Sequence, residues 1–169
     1  KRRKEEKIRE YHRHLQIRLR EMPQVAAEAG IPPRFRDMTE PFVRWTANFL
    51  WQHRKDHLLL SGDTGVGKTS GSCLCALNML KMLKRVRYTS RAKLTAELVA
   101  VKTGKGDAEA FYRKLYYSHD LLIIDEVVGK DKVTDTTKEL MARLVDDCYS
   151  GECRAKVWLL GNFYEGSID

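Results

Sequence analysis

The stretch GDTGVGKTS, Gly62 to Ser70, gathers the residue types that hold a polyphosphate. Gly62, Gly67, Lys68 and Thr69 satisfy G-x-x-x-x-G-K-[ST]; Asp63, Thr64, Val66 and Ser70 fill the remaining positions, and Gly65 adds a second point of tight turning. In such a loop the unpaired N–H groups of a helix start face one anion. Lys68 adds a point charge there, and the Thr69 hydroxyl suits Mg²⁺. ATP or ADP with Mg²⁺ is the expected ligand. A second group, LLIIDE at 121–126, ends in two carboxylates. Asp125 is expected on the Mg²⁺ side, and Glu126 is next in line to polarise an attacking water. The run VWLLGN at 157–162 closes on Asn162. Its amide can orient a water or read a γ-phosphate, or it can simply be a turn residue after Gly161.

These groups need a scaffold that brings three distant segments together. HLLLS, just before the loop, reads as a buried strand, and SGSCLCALNMLKMLK, just after it, repeats Leu74, Leu77 and Leu80 at helical spacing. Four apolar residues without alternation at 121–124 describe a strand covered on both faces, and its carboxylates then lie at the edge where open parallel sheets bind ligands. VRYT within 85–89 supplies another strand, and Ser90 is a suitable N-cap for RAKLTAELVAVK. A further helix is expected from about Asp107, and Thr136 with Glu139 has capping-box spacing before Leu140, Leu144, Val145 and Cys148. Pro41 opens a helix whose Phe42, Trp45 and Phe49 are expected in the core, since a base-stacking platform would need them exposed. The pattern predicts an α/β fold: a three-layer P-loop NTPase core with a mostly parallel sheet, preceded by a basic helical segment.

The 169 residues suffice for one domain with a substantial core. A net charge of +8, much of it before residue 21, favours an acidic partner such as nucleic acid. Ile8, Tyr11, Leu15, Leu19 and Met22 recur at spacings of three and four among Lys, Arg and Glu, so 1–29 reads as a basic amphipathic arm, broken near Pro23. Gly30-Ile31-Pro32-Pro33 punctuates a linker at 30–41, and 42–169 forms the ATPase core. Arg87, Arg91, Lys93, Lys102 and Lys105 extend the positive charge into that core. Cys73, Cys75, Cys148 and Cys153 lack zinc spacing and read as free thiols. No run is long enough to span a bilayer, so no membrane partner is expected and a cytoplasmic setting is. The first residue is not Met and the chain stops soon after a strand, as expected of a piece of a longer protein.

Taken in order, AGIPPRFRDMT (29–39), GDTGVGKTS, YTSRAKLTAEL (88–98), SHDLLIIDEVVG (118–129), LVDDCYSGE and LLGN resemble the DnaC/IstB-type branch of AAA+ ATPases. The resemblance covers nearly everything from Ala29 onward. It implies that Lys68 and Thr69 are the Walker A pair, Asp125 and Glu126 the Walker B pair, and Asn162 the sensor. A basic residue is usual near the end of the preceding helix, where this chain has Cys148-Tyr149. The resemblance further implies an AAA+-like core that is incomplete at its C-terminal end, lacking a fifth strand, an arginine finger and any second sensor. Turnover by these residues alone would then be weak. The implied task is ATP-dependent loading of a replicative hexameric helicase onto single-stranded DNA by an ATP-dependent homo-oligomer. The alternatives are an IstB-like ATPase that assists transposition, and a nucleotide-switched module that binds single-stranded DNA or protein with little turnover. A nucleotide kinase fits less well, because the Glu after Asp125 suits water activation.

Overall fold

The computed structural model describes residues 2–36, 41–128 and 133–162. Residues 37–40 of the expected linker, the Phe42 side chain, and residues 129–132 and 163–169 of the expected core lie outside them. Four parallel strands form the sheet: β1 (Leu58–Ser61), β2 (Val86–Ser90), β3 (Leu121–Asp125) and β4 (Lys156–Gly161), in the order β1-β4-β3-β2. Because all four run the same way, Gly62, Asn162, Asp125 and Ser90 come out along one edge.

Period-two alternation divides β3 between two cores. Leu121 and Ile123 join Trp158, Leu160 and the apolar side of α4 (Lys68–Lys81) on one face of the sheet. Leu122 and Ile124 join Val157 and α5 (Arg91–Thr103), α6 (Ala108–Tyr117) and α7 (Asp135–Tyr149) on the other. All four apolar β3 residues, Leu121 to Ile124, are fully buried, as the unalternating run predicts. The fold is therefore the three-layer α/β core of a P-loop NTPase.

The first face is completed by α1 (Arg2–Arg20), α2 (Met22–Glu28) and α3 (Pro41–Gln52). The chain breaks between α1 and α2 at Glu21, with Pro23 in the first turn of α2, where a missing N–H costs nothing. Along α1 the predicted stripe is only partly covered. Leu15 and Met22 are half-buried, whereas Ile8, Tyr11 and Leu19 are exposed.

On α3 the expected core rings face outward: Trp45 is 68% exposed and Phe49 45%, stacked on one another at 6.2 Å. Val43, Ala47 and Leu50 are buried instead. The reason is the close crossing of α3 over α4. A Cβ added to Gly71 would lie 2.5 Å from Thr46 Cγ2, so only small residues fit the contact. The α7 cap also differs from the expected box. Thr134 Oγ1 accepts the Thr137 N–H at 3.2 Å, and Glu139 pairs with Lys102 at 2.6 Å.

Candidate functional site

At the C-terminal end of β1 the chain turns through the glycine loop and enters α4 at Lys68. Gly65 and Gly67 have φ of +88° and +87°, conformations that a side chain rarely adopts. Gly67 is the residue before α4, so the loop delivers the first N–H groups of that helix to one spot. Beside it lies a cavity of about 320 Å³. Its walls include Thr64, Gly65, Gly67, Lys68, Thr69 and Ser70 from the loop and helix start, Asp125 and Glu126 at the end of β3, and Gly161 and Asn162 at the end of β4.

Gly62, Asp63 and Val66 do not line the cavity. The carbonyls of Gly62 and Asp63 accept from Lys68 Nζ at 2.6 and 2.9 Å, while Val66 is exposed. Lys68 also donates to Asn162 Oδ1 at 2.8 Å, and Asn162 Nδ2 donates to Thr64 Oγ1 at 3.0 Å. One amide thus joins the end of β4 to both ends of the phosphate loop.

On the other side of the cavity Thr69 Oγ1 donates to Asp125 Oδ2 at 2.8 Å. The same Oδ2 accepts the Tyr88 hydroxyl at 2.5 Å, and Oδ1 accepts the Glu126 N–H at 2.8 Å. Glu126 is exposed with φ of +56°, an uncommon conformation for a residue with a Cβ. It turns the chain at the strand end. Burial first, and then the bond to Asp125, pushes the Tyr88 phenol well above its ordinary range, so it stays protonated and donates. Burial also pushes the Cys73 thiol up to about 12. That buried thiol is held protonated at neutral pH.

Thr69 and Asp125 present hard oxygen donors side by side, the donor set that Mg²⁺ takes when nucleotide phosphates supply other ligands. Among the described residues no cluster of three or more His, Cys, Asp or Glu could hold a metal, and the four cysteines are free. No described helix is long and apolar enough to cross a membrane.

Two residues of this region have no signature in the sequence. Arg34 lines the cavity and places its guanidinium 4.6 Å from the Phe35 ring centroid; it belongs to PPRFR, in the segment 29–39 that carries the resemblance but implies no site role for this arginine. Tyr88 lies on β2, and only strand register shows what it faces. The positive set expected in the core is only partly paired. Arg87 pairs with Glu97, Lys102 with Glu139, and Arg91 is buried, which leaves Lys93 and Lys105 exposed.

The model of a family described as IstB-like ATP binding protein matches residues 3–156. No curated protein matches the chain in sequence. Among solved structures, the chain is similar to AMPPCP-bound DnaA from Aquifex aeolicus, with a TM-score of 0.58 and 20% identity. The match covers 82% of this chain and 45% of that one, so the chain spans less than half the length of the DnaA structure. At this identity the likeness speaks for the fold.

Proposed function

The chain belongs to the family of IstB-like ATP-binding proteins, and on that premise we propose that it hydrolyses ATP and uses the nucleotide cycle to load a replicative helicase onto single-stranded DNA. One observation carries the catalytic part: Lys68, Thr69, Asp125, Glu126 and Asn162, from three separate segments, line a single cavity. In this reading Lys68 exchanges its carbonyl and amide acceptors for β- and γ-phosphate oxygens. Thr69 and Asp125 would hold Mg²⁺, which supplies charge neutralisation at the phosphates. Glu126 aligns the attacking water and receives its proton, leaving ADP and phosphate as products. Asn162 senses the γ-phosphate from the end of β4, because its amide already lies within reach of both Lys68 and Thr64.

The nucleic-acid part rests on α1, where Arg3, Lys4, Lys7, Arg9 and Arg13 are all exposed. Backbone neutralisation by such a helix requires no base edge, so its binding to single-stranded DNA would be indifferent to sequence and fall steeply with salt. ATP-driven self-assembly would align several such helices and raise avidity without new contacts within one subunit. The family match also favours a second reading, an ATPase that assists a transposase. Copurification of the full-length protein with untagged partners, with and without ATP, tests both. A hexameric helicase retained with ATP supports the loader. A transposase in its place supports the second reading, and ATP-dependent retention of single-stranded DNA alone would overturn both in favour of a binding module.

A further inference from the structure

We infer that Tyr88 is a positioning residue for Asp125, and that the segment joining the basic arm to the core holds Tyr88 in place. The inference rests on the ATP reading above. Tyr88 and Asp125 lie on adjacent parallel strands, with Tyr88 in register with Ile123 and Ser90 with Asp125. Side chains two residues apart on β3 share a face, so Asp125 projects to the side on which Tyr88 packs. That diagonal brings the phenol oxygen to 2.5 Å from Asp125 Oδ2.

The same oxygen accepts from Thr69, whose hydroxyl is the one expected to turn toward a cation. Once it turns, Oδ2 keeps, among the described residues, a single donor, Tyr88. Among them the Glu126 N–H, on Oδ1, then shares the task of fixing the carboxylate. A neutral donor suits this place, since a Lys or Arg would orient the carboxylate as well but would compete with the cation for its charge. Groups that hold a metal-binding carboxylate from behind typically matter about 10- to 100-fold to metal affinity.

The other side of Tyr88 is its main chain. β2 is the edge strand of the sheet, and the Tyr88 N–H donates to the Ala29 carbonyl at 2.7 Å. Gly30 lies so close that an added Cβ would be 2.3 Å from the Tyr88 carbonyl oxygen, and its φ is +82°. Ile31, the next residue, is fully buried, and its carbonyl accepts from the Arg36 guanidinium at 2.8 and 2.9 Å. The turn after α2 is thus clamped, and its clamped part lies on the residue that holds Asp125.

The test is fluorescent-ATP binding to the full chain over a Mg²⁺ series, with an EDTA arm, for wild type, Tyr88→Phe and Gly30→Ala. Phe keeps the ring and removes only the donor. The expected result for Tyr88→Phe is a rise of about 10-fold in the Mg²⁺ concentration for half-maximal binding, with affinity in EDTA unchanged. Gly30→Ala should shift the Mg²⁺ curve in the same direction. An unchanged curve in Tyr88→Phe overturns the positioning role, and an unchanged curve in folded Gly30→Ala overturns the part played by the arm. Equal loss in EDTA and Mg²⁺ would mean general damage and also overturns it. Wild type that binds no ATP at any Mg²⁺ concentration would instead overturn the ATP reading itself.

Discussion

Lys68 Nζ donates to Asn162 Oδ1 at 2.8 Å, across ninety-four positions of sequence, so the lysine of the phosphate loop and the amide at the end of β4 are direct neighbours. Its other two acceptors are carbonyls of the loop itself. Phosphate oxygens would replace all three neutral acceptors with anionic ones, so that donor and acceptor are both charged. Lys68→Ala should therefore weaken ATP binding about 10- to 100-fold, at roughly 1.5–3 kcal/mol for a bond to a charged group. Equilibrium titration reads this directly, and unchanged affinity would remove the central role of the loop.

Glu126→Gln separates binding from turnover. The substitution keeps side-chain size, leaves the main-chain N–H of residue 126 on Asp125 and removes only the carboxylate proposed to take a proton from water. ATP should bind as in wild type and persist uncleaved, with a loss of about 10²- to 10⁴-fold in rate. Equal phosphate release by mutant and wild type would exclude Glu126 as the activating group.

Gly71→Ala probes the crossing of α3 over the first turns of α4. Alanine ordinarily favours a helix over glycine by about 1 kcal/mol. Here the new Cβ would meet Thr46 Cβ at 2.7 Å and Cγ2 at 2.5 Å, both attached to a packed helix. Overpacking of this kind costs about 1–3 kcal/mol, so the net change should be a lower urea midpoint, accompanied by weaker ATP binding as the start of α4 shifts. A midpoint above that of wild type would show that α3 yields freely.

His57 and His119 predict a pH dependence of stability. Burial, and then the Lys156 charge, lowers the His57 pKa below its ordinary 6.5, and its Nδ1 accepts the Val157 N–H at 3.2 Å, which requires an unprotonated nitrogen. Burial likewise lowers His119. With the folded pKa values depressed, the unfolded chain takes up protons first as pH falls below 6.5, and stability drops from there. Urea midpoints at pH 7.5 and 5.5 should differ in that sense, and His57→Gln should reduce the difference. A midpoint that rises on acidification would reverse the sign of the argument.

A change of Lys4, Lys7, Arg9 and Arg13 to Gln should weaken binding to single-stranded oligonucleotides. It should also flatten the salt dependence, by about 0.7 in logarithmic slope for each phosphate that is no longer neutralised. Anisotropy over a salt series measures both, and an unaltered slope would place the nucleic-acid surface away from α1.

The residues that meet at the cavity, Arg34 excepted, were legible because each belongs to a local pattern. A strand, a glycine loop and a helix start announce the phosphate side, and a fully buried strand ending in Asp125 and Glu126 announces the other. What stayed hidden depends on tertiary relations. On α3, Val43, Ala47 and Leu50 form one apolar stripe and Trp45 with Phe49 another. Periodicity finds both, but only the close approach at Gly71 decides that the smaller one faces inward. Thr134 and Thr136 both suit a cap by residue type, and the hydrogen bond from Thr137 selects the former. Tyr88 needs the β2–β3 register, and Arg34 needs the path of the segment before the core, neither of which is written in residue spacing.

The strand order also governs when the site can exist during synthesis. β4 lies between β1 and β3, and Leu58 finds its partner in Trp158. A nascent chain that has emerged through Glu126 already carries the whole glycine loop and both carboxylates. It still lacks the strand that holds the two halves side by side and the amide that closes on Lys68. Such long-range parallel pairing is slow, because the intervening loop entropy is spent before any pairing is gained. Nucleotide capture therefore waits for β4 to emerge, and ribosome-bound chains arrested before residue 156 should fail to retain ATP although every residue of the phosphate loop is present.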